Sequence, residues 1–153
     1  MAGRDWTSDC TEQLEKIREN LFSLYTDFMF SKDNKDGLSH VQTVLLKYLL
    51  DKGRSTVSAI ADYMGVTMAA VSSLVDRLVK VGLLNRDRSE TDRRVVYISL
   101  TPAGREAIEE FLIRRRERLK LLISKMGKEN AEKFIEAHKI LLETLEQIIR
   151  EKK

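Results

Sequence analysis

The chain has 153 residues, 42% hydrophobic and 33% charged, which is enough for one globular domain with a hydrophobic core. Its 27 basic and 24 acidic residues nearly cancel, and the net charge of +3 permits a polyanionic partner without requiring one. No apolar run approaches the roughly 20 residues of a membrane span, and the start lacks the apolar core of a signal peptide, so we expect a cytoplasmic protein with no membrane partner.

The single cysteine, Cys10, excludes an intrachain disulfide. We expect Cys10 to be inert, with an intermolecular disulfide or an oxidation switch as the alternative.

Two helices are predicted before residue 54. Residues 11–30 carry apolar side chains at spacings of three and four, namely Leu14, Ile17, Leu21, Leu24, Tyr25 and Phe28, with Phe22 and Met29 widening the stripe. This apolar face is broad, so we expect something beyond the small unit formed by the elements that follow to cover it. The polar segment 32–37 predicts a loop. Ser39 and Gln42 then form a capping box that begins a helix ending at Gly53 and burying Val44, Leu45, Tyr48 and Leu49.

Residues 55–78 have the layout of a helix-turn-helix. Ser55 is predicted to cap the first helix, Gly65 can turn with a positive φ, and Thr67 is predicted to cap the second helix. Ala61 is small enough to let the two helices approach, and Val71 fills their crossing. The apolar residues at helical spacing are Val57, Ile60, Ala61 and Met64 in the first helix and Val71, Leu74, Val75, Leu78 and Val79 in the second. In a DNA-binding helix-turn-helix, the second helix enters a groove of the duplex.

The second helix is predicted to divide into a buried stripe and a polar face. At about 100° per residue, the side opposite Val71, Leu74, Val75 and Leu78 carries Ala69, Ser73, Asp76, Arg77 and Lys80. The small residues near its amino end, which let a backbone approach base edges, are Ala69, Ala70, Ser72 and Ser73. At the two helix starts, Ser55, Thr56 and Thr67 are candidates for phosphate contact. The alternative is the solvated face of an ordinary core helix.

Residues 83–88 and 94–100 predict the two strands of a β-hairpin wing. The charged residues of this hairpin are Arg86, Asp87, Arg88, Glu90, Asp92, Arg93 and Arg94. An arginine at the hairpin tip is thin enough to enter a minor groove, and Asp92 can hold such an arginine by a bidentate hydrogen bond. The alternative is a solvated hairpin whose charges pair with one another.

Thr101 and Pro102 predict the start of a helix that runs to Met126, and a final helix follows from about residue 129, with Gly127 as the break. The apolar positions of these two helices are Ile108, Phe111, Leu112, Leu119, Leu122, Ile123, Phe134, Ile135, His138, Leu141, Leu142, Leu145, Ile148 and Ile149. A winged unit offers these helices no partner, so we expect a two-fold homodimer, with a monomeric bundle as the alternative.

The predicted fold is mainly α, of α+β type: a winged helix-turn-helix with a two-stranded β-wing and additional N- and C-terminal dimerisation helices. Residues 37–101 form the DNA-binding region, and residues 1–36 and 102–153 form the helical dimerisation region.

Residues 85–106, together with residues 71–84, closely resemble the MarR family of bacterial winged-helix regulators. The most specific match is Asp87-Arg88, then Asp92-Arg93-Arg94, then a strand ending in Leu-Thr-x-x-Gly, and the likeness runs from about Leu14 to the C-terminus. It implies a single compact domain of MarR type, acting as a homodimer on a pseudo-palindromic operator, usually as a repressor. In this family a small lipophilic or phenolic ligand, or an oxidant, usually triggers release.

The resemblance also implies roles for individual residues. Arg94 matches the minor-groove arginine, Asp92 its brace, and Arg77 an arginine of the recognition helix that contacts a base or a phosphate, although Arg77 could instead pair with Asp76 or a wing acid. The DNA-contact set also includes Arg88 and Arg93. An effector cavity would be lined by Phe22, Tyr25, Phe28, Met29, Tyr48 and Phe111, with simple core packing as the alternative. Leu21 occupies the position of the oxidant-sensing cysteine, so we do not expect that mode of sensing.

Other functional classes find less support in the sequence. Two histidines, His40 and His138, and one cysteine offer no phosphate loop, nucleophile elbow or metalloprotease signature, so we expect no enzyme activity, no metal and no cofactor. The basic run Arg114, Arg115, Arg116, Arg118 and Lys120 is interleaved with glutamates, which favours a solvated or dimer-bridging role over DNA contact. A winged-helix protein-interaction module is the main alternative, and it predicts an apolar outer face on the second helix. The sequence therefore predicts a transcriptional regulator that binds double-stranded DNA, with a small-molecule effector as a further candidate partner.

Overall fold

The structure, a computed structural model, describes residues 5–30, 37–89 and 95–152. Its elements in chain order are α1 (Trp6–Met29), α2 (His40–Lys52), β1 (Ser55–Thr56), α3 (Val57–Met64), α4 (Met68–Lys80), β2 (Leu84–Arg88), β3 (Val96–Leu100), α5 (Pro102–Met126) and α6 (Lys128–Glu151). The chain divides into two compact units, Met1–Arg114 and Arg115–Lys153. The predicted mainly helical winged fold is confirmed, with one strand more than predicted.

The core of the first unit lies between the helix-turn-helix and the sheet. Helices α2, α3, α4 and α5 and strands β2 and β3 each bury apolar side chains there. The most deeply buried of them are Leu45, Leu46, Leu49, Ile60, Val71, Val75, Leu78, Ile98, Ile108 and Phe111. Val44 and Tyr48, which were expected to be buried, are half-buried. Thr43 is buried, and its hydroxyl donates to the His40 carbonyl, which offsets the cost of burying a polar group.

The helix caps follow local sequence rules with one exception. The Ser39–Gln42 capping box is confirmed, and Thr67 caps α4 by accepting from the Ala70 amide at 3.2 Å. The exception is Ser55, whose predicted capping role is wrong. Thr56 caps α3 by accepting from the Ala59 amide at 3.2 Å. Ser55 and Thr56 both pair with β3 and are extended, so the helix begins at Val57 and the residue before it is Thr56.

This correction predicts unequal effects for two neighbouring substitutions. Thr56→Ala should lower the free energy of unfolding by about 1 kcal/mol, since the amide of Ala59 loses its capping partner. Ser55→Ala should change it by less than about 0.5 kcal/mol, since the sheet pairing of residue 55 uses backbone groups. Urea unfolding of both variants measures the difference, and equal losses would contradict Thr56 as the cap.

The turn of the helix-turn-helix is built as its spacing predicts. Gly65 adopts a left-handed conformation with φ 66°, which a side chain would disfavour, and the axes of α3 and α4 bend by 111° across the turn. Ala61 and Val71 are both buried where the helices meet. These contacts fix the direction in which α4 leaves the core.

The antiparallel sheet has the order β1-β3-β2. The register places Leu84 opposite Leu100, Arg86 opposite Ile98 and Arg88 opposite Val96. Alternate residues of a strand share a face, and Leu84 and Ile98 are buried, so Arg86 and Arg88 lie on the face of the sheet that the helices cover. Asn85 and Asp87 lie on the opposite face.

The first turn of α5 packs against the start of the wing. The Thr101 hydroxyl donates to the Gly82 carbonyl at 2.7 Å and accepts from the Gly104 amide at 2.9 Å, which confirms Thr101 as the cap. The Thr101 amide donates to the Leu83 carbonyl at 3.1 Å. A Cβ atom on Gly104 would lie 2.0 Å from that same carbonyl oxygen. Only glycine therefore allows α5 to start so close to residue 83.

Helix α1 leaves most of its apolar side chains exposed. It begins five residues earlier than the predicted residue 11, because Asp5 caps it and accepts from the Thr7 amide. Hydrogen bonds from the Thr7 side chain and amide lower the pKa of the Asp5 carboxyl. Of the apolar residues of α1, only Met29 is buried, and six are more than half exposed: Trp6, Leu14, Ile17, Leu21, Phe22 and Leu24.

Helix α6, in the second unit, also carries an exposed apolar stripe. The predicted break at Gly127 is confirmed, and α6 follows it directly. Ala131 is buried, whereas Ile140, Leu141, Leu142 and Ile149 are more than half exposed.

The basic run of α5 forms ion pairs within its own helix. Arg114 pairs with Glu110 at 3.3 Å, and Lys120 pairs with Glu117 at 2.7 Å.

Candidate nucleic-acid interface

The exposed surface of α4 carries small and polar side chains, together with the apolar Met68 at its first position. Its inner stripe, Val71, Leu74, Val75 and Leu78, is buried, and the exposed side carries Ala69, Ala70, Ser73, Asp76, Arg77 and Lys80. The predicted division of this helix is therefore confirmed. The Arg77 Nε donates to the Ser73 carbonyl at 3.3 Å, one turn earlier on the same exposed side. Such a face can approach a flat polar surface closely.

A groove runs between the start of α3, α4 and the wing. Two adjoining depressions share Val57, Ser72 and Val96. One of them is also lined by Arg86 and Arg88, and the other by Thr56, Ser58 and Met68. The hydroxyls of Thr56 and Ser58 lie 3.0 Å apart. Hydroxyls and guanidinium groups in one groove are the donors that phosphate oxygens accept from.

An ion pair ties the wing to the recognition helix. The Arg86 guanidinium lies 2.8 Å from the Asp76 carboxylate, with both side chains on the surface. The sequence left open whether Asp76 pairs with Arg77, and in the structure its contact is with Arg86. An exposed pair adds little stability, on the order of 0–1 kcal/mol, but it gives the arginine a direction.

Sequence reasoning missed three residues at or beside the groove. Ser58 lies at the amino end of α3, and Arg86 was counted only as part of the wing charge. The guanidinium of Arg54 lies 4.6 Å above the centre of the Tyr97 ring, a cation–π contact on the sheet. The position of Arg54 directly before the capping segment was the only sign in the sequence that it could belong to the site. Its contact with Tyr97 could not be inferred, because the two residues are 43 positions apart in the sequence.

The other predicted DNA contacts divide into two groups. Ser55 is half-buried in β1, Thr67 is exposed at the start of α4, Ser72 lines the groove, and Arg88 is exposed on β2. Asp92, Arg93 and Arg94 lie outside the described residues. The brace between Asp92 and Arg94 therefore stays a prediction.

The six predicted effector-site residues occupy different environments. Phe111 is in the core and stacks on Phe30 with ring centres 5.6 Å apart, and Tyr48 is half-buried and packs on Tyr63 at 4.4 Å. Met29 is buried and Phe28 half-buried. Phe22 and Tyr25 are exposed on α1. Core packing thus accounts for Phe111, while the exposed pair on α1 is free to contact another molecule.

Two further observations concern other kinds of site. Within residues 5–30, 37–89 and 95–152, no group of three His, Cys, Asp or Glu side chains is placed to hold a metal ion. In those same ranges, no single helix is long and apolar enough to cross a membrane, and only the bent pair of α3 and α4 has the length and composition to do so. The buried residues of that pair lie in the core described above.

The capped helix pair, the polar face of α4 and the adjoining arginine-bearing wing define a winged helix-turn-helix protein of the DNA-binding class. Residues 38–96 match the model of the MarR family. The uncharacterized HTH-type transcriptional regulator YdgG of Bacillus subtilis is 32% identical over 121 residues, which cover 76% of this chain and 80% of YdgG. The chain belongs to the MarR family, whose members are transcriptional regulators, and its predicted membership is confirmed.

Two further relatives agree with this assignment. The HTH-type transcriptional repressor MdtR of B. subtilis is 35% identical over 96 residues, which cover 63% of this chain and 62% of MdtR. The structure of a MarR family protein from Bacillus stearothermophilus superposes with a TM-score of 0.67 and 26% identity, and the match covers 98% of this chain and 99% of that protein. The chain is a DNA-binding transcriptional regulator of this family, and its relatives are regulators rather than enzymes.

Proposed function

We propose that this regulator is a cytoplasmic repressor that binds a pseudo-palindromic operator as a homodimer and is released by a small lipophilic or phenolic ligand. The observation that carries the proposal is the juxtaposition of the small polar face of α4 with the groove lined by Ser72, Arg86 and Arg88. In a dimer, two such faces would enter successive major grooves about 34 Å apart, and the two wings would reach the flanking minor grooves.

Phosphate contacts from the groove would fix the position of each subunit. Thr56 and Ser58 offer hydroxyls, Arg88 a guanidinium, and the first turn of α4 offers free backbone amides. Base contacts would then come from Ala69, Ala70, Ser73 and Arg77 on α4. This division separates the residues that set affinity from those that set sequence preference.

The apolar faces of α1 and α6 support the homodimer. Leu14, Leu21 and Phe22 on α1 and Leu141 and Leu142 on α6 are more than half exposed in the single chain. Monomeric proteins rarely expose apolar patches of more than a few hundred Å². A second copy related by a two-fold axis would cover the same faces of both chains.

The proposed repression is supported by the name of a relative, and the proposed ligand release is supported by the position of two aromatic residues. MdtR, a 35% identical relative, is named a transcriptional repressor. Phe22 and Tyr25 are exposed on α1, where a partner copy could complete a cavity for an aromatic ligand. A ligand that changes the distance between the two α4 helices would weaken both half-sites together.

Selection of binding sites from random duplex DNA tests the proposal directly. The purified protein should enrich a two-fold symmetric sequence with half-site centres one helical turn apart, and it should elute as a dimer in size-exclusion chromatography with light scattering. A monomer in solution, or no preference among duplexes at moderate ionic strength, would overturn the proposal and favour a protein-interaction module.

Arg88→Ala is expected to weaken binding to duplexes of every sequence. Loss of one phosphate contact should flatten the dependence of log Kd on log salt concentration by about 0.9. The sequence resemblance gives Arg94→Ala the same expectation. Arg105→Ala is the matched control, since it removes the same charge from a residue that pairs with Glu109 on α5. Fluorescence anisotropy at several salt concentrations measures the slope, and an unchanged slope for Arg88→Ala would remove Arg88 from the interface.

A further inference from the structure

We propose that Met68 determines sequence preference by contacting the methyl group of a thymine in the major groove. The inference rests on the proposed binding of duplex DNA by α4. Met68 is the first residue of α4, and its side chain is 57% exposed. The residues that this helix contributes to the core are Val71, Leu74, Val75 and Leu78. Met68 is not among them, so core packing gives no reason for a methionine at this position.

The surroundings of Met68 favour DNA as the occupant. It lines a depression together with the hydroxyl-bearing Thr56, Ser58 and Ser72 and the apolar Val57, Val95 and Val96, and the cap residue Thr67 precedes it. Hydroxyls and helix-terminal amides suit a phosphate backbone rather than an apolar protein surface. If these polar groups hold the phosphate backbone, the exposed end of Met68 would face the base edges, where an apolar group can contact it.

Thymine provides that target. Among the base edges in the major groove, the thymine C5-methyl is the apolar feature, and apolar side chains contact it in direct readout. Ala69, Ala70 and Ser73, on the exposed side of the same helix, are too short to reach as far as methionine does. The flexible thioether of methionine can also adapt to the position of the methyl group.

The test replaces thymine by deoxyuridine, which lacks only the methyl group. Each thymine in one half-site of the selected duplex is replaced in turn, and Kd is measured by anisotropy for the wild type, Met68→Ala and Met68→Leu. At one or two positions the wild type should lose about fourfold in affinity, as expected for one buried methyl. Met68→Ala should be insensitive at those positions, and Met68→Leu, which keeps an apolar side chain, should stay sensitive.

Val81→Ala is the matched control. It truncates another exposed apolar residue, at the opposite end of α4, and should leave the deoxyuridine profile unchanged. Thermal melts monitored by circular dichroism verify that each variant is folded. A profile for Met68→Ala identical to that of the wild type, or a wild type insensitive to every replacement, would overturn the role of Met68 while leaving DNA binding intact. If the wild type showed no duplex preference, the proposed function itself would fail.

Discussion

We expect Gly104→Ala to lower the free energy of unfolding by about 3 kcal/mol, near the upper end for overpacking. Helix propensity alone predicts the opposite sign, a gain of about 1 kcal/mol for alanine over glycine inside a helix. The steric effect should dominate because the new Cβ would lie 2.0 Å from the Leu83 carbonyl oxygen, and backbone atoms cannot move aside cheaply. That oxygen also accepts from the Thr101 amide, so displacing it would weaken the junction of wing and α5.

Ala103→Gly is the control for Gly104→Ala. Ala103 is exposed on the same turn of α5, and its replacement should show only the propensity effect of about 1 kcal/mol. Urea or thermal unfolding compares the two variants. A Gly104→Ala protein as stable as the wild type would contradict the close approach of α5 to Leu83.

We expect the double variant Leu141→Glu/Leu145→Glu to be a monomer that binds the operator at least about 100-fold more weakly. The two residues lie one turn apart on the exposed stripe of α6, and each is about half exposed in the single chain. In the proposed dimer, two unpaired carboxylates would be buried against apolar surface, which costs several kcal/mol, whereas 100-fold corresponds to about 2.7 kcal/mol. Leucine and glutamate have similar helix propensity, so α6 itself should persist.

Lys128→Gln/Lys139→Gln is the control for this experiment. It makes the same change in net charge on residues whose partners, Glu132 and Glu136, lie on the same helix. Sedimentation equilibrium gives the subunit association and anisotropy gives the operator affinity. A leucine variant that stays dimeric, or a control that dissociates equally, would place the subunit interface elsewhere.

Features set by neighbouring residues could be predicted from the sequence. The Ser39–Gln42 box, the Gly65 turn, the Thr67 cap and the break at Gly127 each depend on a few adjacent positions, and the structure contains all four. The polar face of α4 could also be predicted, because helical periodicity relates burial to spacing.

Features set by distant residues could not be predicted. Strand β1 has only two residues and exists because β3 pairs with it, so Ser55 was mistaken for a cap. The contacts of Asp76 with Arg86 and of Arg54 with Tyr97 depend on how the sheet packs, which spacing along the chain does not report. For the candidate site, the sequence therefore predicted most residues on the exposed face of α4 but fewer of the residues that line the groove beside it.

The ion pair between Asp76 and Arg86 has a consequence for how operator preference can change. Because α4 and the sheet share one buried core, a shift of α4 along the duplex would carry the hairpin with it, and the ion pair would keep Arg86 directed at α4. A regulator that recognises half-sites of another length would then need new residues on both α4 and the hairpin. Exchanging residues on α4 alone would be insufficient to change the operator that the protein prefers.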